Sequence, residues 1–110
     1  MKGDNLMESR CLRKGNKLYV TVPLELDHVC SEELRAEIEK ELIDTVTKEV
    51  IFDFRNTVFM DSSGIGMLMG RYRSMNQMGG CVKVIHAGNR VSRILELSGI
   101  YKVISINESY

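Results

Sequence analysis

The residues most able to do chemistry lie together in one segment, "FMDSSGIGMLMGRY". In this segment Asp61 is followed by Ser62 and Ser63, and then by Gly64 and Gly66. A serine hydroxyl beside a carboxylate could act as a nucleophile, accept a phosphoryl group or cap a helix, and the nearby glycines could cradle a phosphate. Each of these roles requires particular partners elsewhere in the chain.

A serine nucleophile would need a sharp turn and a histidine base. The usual nucleophile turn reads Gly-x-Ser-x-Gly, whereas the frame around Ser62 lacks the first glycine and the frame around Ser63 lacks both. His28 and His86 are the only two histidines in the sequence, and a catalytic triad needs one of them beside the serine. The sequence therefore disfavours a serine hydrolase.

The glycines after the serine pair resemble a dinucleotide-binding loop with one extra residue. Such a site also needs an acidic side chain at the end of the next strand to bind the ribose, and the predicted strand here ends in His86. The Gly-Lys-Ser/Thr motif of nucleotide hydrolases is absent from the sequence. We therefore expect neither an enzyme nor a protein with a cofactor of its own.

An amphipathic helix is predicted to begin at the serine pair and to run from about Ser62 to Met78, where Gly79 and Gly80 end it. Asp61 or Ser62 would cap this helix, but a single cap does not explain two hydroxyls. Apolar residues recur at helical spacing and are predicted to face the core: Ile65, Leu68, Met69, Tyr72 and Met75.

The opposite strip of the predicted helix has an unusual composition. Two glycines inside a helix each cost about 0.8–1 kcal/mol relative to alanine, and a solvated strip normally carries Lys, Glu or Gln. The strip is therefore predicted either to pack against a neighbouring element or to form a flat, partly apolar docking surface for a partner. Its residues are Ser63, Gly66, Met67, Gly70, Arg71 and Ser74.

Alternating strands and helices are predicted to position this helix. Strand-like runs at Met7–Lys14 and Lys17–Val22 flank the hairpin signal Gly15-Asn16. A helix is predicted next, from Ser31 to Asp44, capped by Cys30 or Ser31. It is followed by a buried strand, the serine-pair helix, another strand, a short helix ended by Gly99, and a last strand. This β-β-α-β-α-β-α-β order predicts an α/β domain with a small mixed sheet, in which an N-terminal hairpin and parallel strands pack against α-helices.

Composition excludes several classes of function. The 110 residues suit one domain, and equal numbers of basic and acidic residues, 15 of each, provide no general attraction for nucleic acid. The sequence has neither a signal-peptide core nor a run long enough to span a membrane. The wide spacing of Cys11, Cys30 and Cys81 disfavours a disulfide framework and a zinc site. We therefore expect a cytoplasmic protein with reduced thiols and no metal.

Three segments together resemble a STAS domain: "VPLELDHVCSEEL", "VIFDFRNTVFMDSSGIGMLMGRYRSM" and "GGCVKVIHAGNRVSRILELSGIYKVISI". More closely, they resemble the anti-sigma factor antagonists of bacterial sporulation and stress pathways. The resemblance runs from about Leu6 to Ile106, and the segment with the serine pair is its most specific part. It implies a single STAS domain over residues 1–110, with its core at about 6–106, that regulates transcription without being an enzyme.

The resemblance implies a partner-switching function. In this family the unphosphorylated antagonist binds an anti-sigma factor that is also a serine kinase, and so releases the sigma factor. The kinase then uses ATP to phosphorylate the serine that corresponds to Ser62, and a phosphatase removes the phosphate. The aspartate of the family's "ELD" motif, which contacts the kinase, corresponds to Asp27, and Asp61 begins the phosphorylated loop. The alternative is a STAS interaction module with another regulatory partner, such as a scaffold or a kinase outside sigma control.

The expected partner-binding surface combines the family positions with the outer strip of the serine-pair helix. Gly64 and Gly66 are expected to leave the kinase a clear approach to the serine backbone, Met67 to supply an adaptable apolar contact, and Arg71 to supply a charge at the rim. The full predicted set is Asp27, Asp61, Ser63, Gly64, Gly66, Met67, Gly70 and Arg71.

Two features depart from the family pattern. Leu24 stands before the "ELD" motif where the family often has glycine, which predicts an altered turn in front of Asp27. After Ile106 only "NESY" remains, so the C-terminal helix usual in the family would be about one turn long at most.

Overall fold

The computed structural model describes residues 9–107, so the predicted strand residues Met7 and Glu8 and the last three residues lie outside the described part. A five-stranded sheet has the order β1-β2-β4-β6-β7. β1 and β2 form the predicted antiparallel hairpin, and every other pair in this sheet is parallel. Its strands are β1 (Cys11–Lys14), β2 (Lys17–Thr21), β4 (Glu49–Asp53), β6 (Cys81–Ile85) and β7 (Ser105–Ile106).

Three α-helices connect these strands, as the sequence predicts: α1 (His28–Leu42), α2 (Ser62–Gln77) and α3 (Asn89–Ser98). α3 ends at Gly99, which adopts the left-handed conformation with φ of 80° that glycine accommodates without a side-chain clash. A short 3₁₀ turn, Ile100–Lys102, leads from there to β7. The structure thus confirms the predicted α/β class and the order of the main elements.

A second, two-stranded sheet was not predicted. β3 (Glu25–Leu26) and β5 (Phe59–Met60) pair in parallel, with Glu25 opposite Phe59 and Leu26 opposite Met60. Each strand directly precedes a helix, β3 before α1 and β5 before α2. The small sheet therefore fixes the starts of these two helices side by side.

One face of the main sheet packs against the helices. Because side chains alternate along a strand, residues at paired positions such as Leu18, Val50 and Val82 point the same way. They share one buried cluster with residues of all three helices. The cluster includes Leu18, Val20, Val50, Phe52, Val82 and Val84 from the sheet and Leu34, Ile38, Leu68, Met75, Val91 and Leu95 from the helices.

The central position of β4 explains the apolar run at its positions 50–52. β4 pairs with β2 on one side and with β6 on the other. Ile51 points away from the helices, yet it is only 1% exposed, because it lies between its register neighbours Tyr19 and Lys83.

No helix within residues 9–107 is long and apolar enough to cross a membrane.

Candidate functional site

Each of the two aspartates singled out in the sequence caps a helix. The Asp61 carboxylate accepts a hydrogen bond of 2.9 Å from the Ser63 amide at the start of α2. The Asp27 carboxylate accepts one of 2.9 Å from the Cys30 amide at the start of α1. The prediction that Cys30 or Ser31 caps α1 is therefore wrong, because the helix begins three residues earlier, at His28. Asp61 was one of the two predicted caps of α2.

The small β3–β5 sheet brings these two helix starts together. Leu26 and Met60 are register partners, so Asp27 and Asp61 follow at equivalent positions, and His28 and Ser62 follow those. The Ser63 hydroxyl lies 3.4 Å from His28 Nδ1, which is a direct side-chain contact between α1 and α2. The structure thus brings Asp27, which is distant in sequence, next to the serine pair.

Ser62 is the freer of the two serines. Its side chain is exposed, and among the described residues no hydrogen bond engages its hydroxyl. Ser63 is half-buried and contacts His28. Further along α2, Gly66 and Gly70 have no atom within 4 Å of where a Cβ would lie. The exposed hydroxyl is therefore followed by open helix surface at Gly66 and Gly70, whereas the predicted strip began at Ser63.

The predicted role of Gly64 as open approach space is wrong. Gly64 is buried, and a Cβ at this position would lie 2.6 Å from Met60 Cγ and 2.9 Å from Leu26 Cδ2. Both of these side chains belong to the β3–β5 sheet and are themselves buried. The lack of a side chain at Gly64 therefore allows α2 to pack closely against the β3–β5 sheet. The contacts of Gly64 are with the interior of the protein.

The predicted outward positions of Met67 and Arg71 are also wrong. Met67 is 5% exposed and packs in the main core, and Arg71 is 6% exposed. Arg71 Nη2 donates a hydrogen bond of 3.1 Å to Glu39 on α1, while its Nε and Nη1 find no partner in the described part of the chain. Burial lowers the pKa of the Arg71 guanidinium, which the Glu39 carboxylate partly offsets. Arg71 therefore joins α2 to α1, and Met67 forms part of the core.

The geometry does not form a hydrolytic triad. His28 contacts Ser63, but the neighbouring carboxylates of Asp27 and Asp61 accept amide hydrogen bonds as helix caps. Within residues 9–107 no carboxylate forms a hydrogen bond to His28 to orient it as a base. His86 is engaged elsewhere, with its Nδ1 3.0 Å from Asp53 Oδ1. No group of three or more potential metal ligands occurs among the described residues.

The sequence contains a signal for this paired arrangement that helical and strand periodicity does not reveal. "ELD" and "FMD" share one pattern, in which a residue buried in the small sheet precedes an aspartate that caps a helix. Two-residue strands are too short to show an alternating pattern. The sequence suggests His28 only as a possible base, because its contact with Ser63 depends on the β3–β5 pairing.

The pKa of Asp27 is held below its ordinary value of 3.8, mainly by the hydrogen bond from the Cys30 amide. The ionised carboxylate therefore stabilises the fold fully above the ordinary pKa, and this contribution is lost as the pH falls through the lower folded-state pKa. In Asp27→Asn, which cannot titrate, the melting temperature should be lower than that of the wild type at pH 7. Thermal unfolding followed by circular dichroism should show this gap narrowing towards pH 3, and a gap that stays constant with pH would contradict the assignment.

Comparison with known proteins agrees with this geometry. The family model of the STAS domain matches residues 11–110. The chain belongs to the STAS family. This STAS domain is 34% identical over 92 residues to the anti-sigma F factor antagonist of Paenibacillus polymyxa, which covers 84% of this chain and 79% of that protein.

Solved structures share the fold of this STAS domain. The anti-sigma factor antagonist SpoIIAA in its unphosphorylated form superposes with a TM-score of 0.72 at 21% identity, covering 90% of this chain and 86% of that one. The Bacillus cell fate determinant SpoIIAA in the phosphorylated form gives 0.69 at 23% identity, covering 89% and 88%. At these identities the similarity establishes the fold alone.

Proposed function

We propose that this protein is an anti-sigma factor antagonist that is switched by phosphorylation of Ser62. In the unphosphorylated state it binds an anti-sigma factor that is also a serine kinase, and the sigma factor is released. The observation that carries the proposal is the exposed, unengaged Ser62 hydroxyl at the start of α2. The relative from Paenibacillus polymyxa, named an anti-sigma F factor antagonist, supports the choice of partner.

The chemistry at Ser62 is a phosphoryl transfer in which this chain is the substrate and not the enzyme. The kinase holds ATP, the Ser62 oxygen forms a bond to the γ-phosphorus, the bond to the leaving ADP breaks, and a base of the kinase accepts the hydroxyl proton. A phosphatase restores the hydroxyl with water and releases inorganic phosphate. The antagonist therefore needs no cofactor of its own, and the exchange is expected to take place in the cytoplasm.

The position of Ser62 suits a reversible modification. The start of a helix carries a partial positive charge, which stabilises an exposed negative charge by about 0.3–1 kcal/mol. We therefore expect the phosphorylated domain to keep its fold. The effect of the phosphate is instead expected in the complex, where the kinase covers Ser62.

The surface for the partner differs from the one predicted from helical periodicity. Asp27, Asp61 and Ser63 remain beside Ser62, and Gly66 and Gly70 remain on the open strip of α2. Because Met67 is buried, the apolar contact must come from other residues. Three exposed apolar side chains lie in the small sheet or directly before one of its strands: Leu24, Val58 and Phe59, which are 58%, 50% and 44% exposed.

Displacement of a sigma factor from its anti-sigma factor tests the proposal directly. A labelled sigma factor bound to the matching anti-sigma kinase should be released when the unphosphorylated protein is added in excess without ATP. Release can be followed by fluorescence anisotropy. An anti-sigma kinase that neither binds the protein nor loses its sigma factor would contradict the proposal and favour a different regulatory partner.

A further inference from the structure

A single basic side chain links the two helix starts at the proposed modification site. His28 is the first residue of α1, and Ser62 is the first residue of α2. We propose that His28 pairs with the phosphate carried by Ser62 and so stabilises the phosphorylated state. The inference rests on the function proposed above, because it concerns the same serine.

The geometry of the unmodified protein supports this pairing. The β3–β5 register puts positions 28 and 62 two residues beyond the paired Leu26 and Met60. The imidazole already reaches α2, since its Nδ1 lies 3.4 Å from the Ser63 hydroxyl. His28 is exposed, so its ring can rotate towards an added group without disturbing the core. A phosphate on Ser62 would therefore arrive within reach of an imidazole that is already oriented towards α2.

The acidic residues around His28 favour an ion pair between the imidazole and the phosphate. Asp27 precedes it, Glu32 lies one turn further along α1, Glu25 lies on β3, and Asp61 caps α2. All four of these neighbours are acidic, and a phosphate adds about 1.5–2 further negative charges at pH 7. A protonated imidazole would relieve the repulsion between the phosphate and Asp61.

Three arginines on or beside α1 and α2 are already paired with glutamates of α1. Arg10 lies 3.8 Å from a Glu33 oxygen, Arg35 bonds to Glu32 at 2.8 Å and to Glu39 at 3.1 Å, and the buried Arg71 also bonds to Glu39. Within residues 9–107, His28 is the basic side chain in direct contact with the serine pair. Its ring contacts only a neutral hydroxyl there, so a charge-assisted hydrogen bond to a phosphate would be the stronger interaction.

The pairing has a measurable consequence for the phosphate. A neighbouring imidazolium favours the doubly charged phosphate over the singly charged one, so the phosphoserine should titrate at a lower pH in the presence of His28. Phosphoserine can be incorporated at position 62 during translation, which requires no kinase. The ³¹P chemical shift of this protein, followed from pH 4 to pH 9, then reports the titration midpoint.

We expect His28→Gln to raise this midpoint by about 0.5–1 pH unit. His28→Lys, which keeps a positive charge, should restore a low midpoint, and His86→Gln should leave the wild-type value unchanged. Identical midpoints in the wild type and His28→Gln would overturn the inference. Because the phosphate is installed without a kinase, that result would leave the proposed function intact. Conversely, an anti-sigma kinase that ignores Ser62 would count against the function and not against the pairing.

Discussion

Phosphorylation of Ser62 is expected to weaken binding to the anti-sigma kinase several-hundred-fold. The kinase must cover the exposed serine, and the phosphate then lies beside Asp61, whose carboxylate already caps α2. A covered interface cannot solvate a dianion next to another negative charge, and the penalty is about 3–4 kcal/mol. Each 1.4 kcal/mol corresponds to about a tenfold change in the dissociation constant, which gives the expected magnitude.

Substitutions in α2 distinguish the effect of a negative charge at position 62 from the effect of losing the serine side chain. Ser62→Asp carries one negative charge and should weaken binding by at least about tenfold, whereas Ser62→Ala should bind like the unmodified wild type. Ser74→Asp adds the same charge to α2 three turns away and is the matched control for an effect of overall charge. Isothermal titration calorimetry gives the dissociation constants. Tight binding by Ser62→Asp and by the phosphorylated protein alike would rule out the switch.

The second large effect is a loss of stability that we expect in the variant Gly64→Ala. Gly64→Ala would place a methyl group 2.6 Å from Met60 Cγ and 2.9 Å from Leu26 Cδ2. Inserting a methyl group into a packed core costs about 1–3 kcal/mol, which exceeds the gain of up to about 1 kcal/mol in helix propensity. We expect a net loss of about 1–2 kcal/mol, or roughly 5–15 °C in melting temperature.

Gly66→Ala is the matched control for this prediction, because nothing lies within 4 Å of a Cβ at that position. Here only the gain in helix propensity applies, so the variant should be more stable than the wild type by up to about 1 kcal/mol. Urea unfolding of both purified variants measures the two free energies. A stabilised Gly64→Ala would show that α2 does not need close contact with the β3–β5 sheet.

The helix α2 shows what helical periodicity can and cannot predict. Leu68 and Met75 lie in the core as predicted, but the fully buried stripe also runs through Gly64, Met67 and Arg71. Glycine and arginine do not register as apolar, so the predicted stripe was rotated by about one residue. Only the contact with α1 and the small sheet reveals that Arg71 is paired with Glu39 and that Gly64 has no room for a side chain.

The start of α1 shows a different limit. The hairpin at Gly15 and the central strand β4 were predictable, because turn residues and an apolar run mark them in the sequence. The family resemblance singles out Asp27, but its role as a cap and its closeness to Asp61 depend on two strands of two residues each. Such strands have no periodicity of their own and form only because each has the other to pair with. The site was therefore predictable as a set of residues, whereas their arrangement was not.

The most direct test of the account is to incubate the purified protein with its matching anti-sigma kinase and ATP and to locate the phosphate by mass spectrometry. The account predicts a single phosphate on Ser62, its absence in Ser62→Ala, and loss of kinase binding once it is present. A phosphate confined to Ser63, or tight binding with no phosphate at all, would contradict the assignment of Ser62 as the switch.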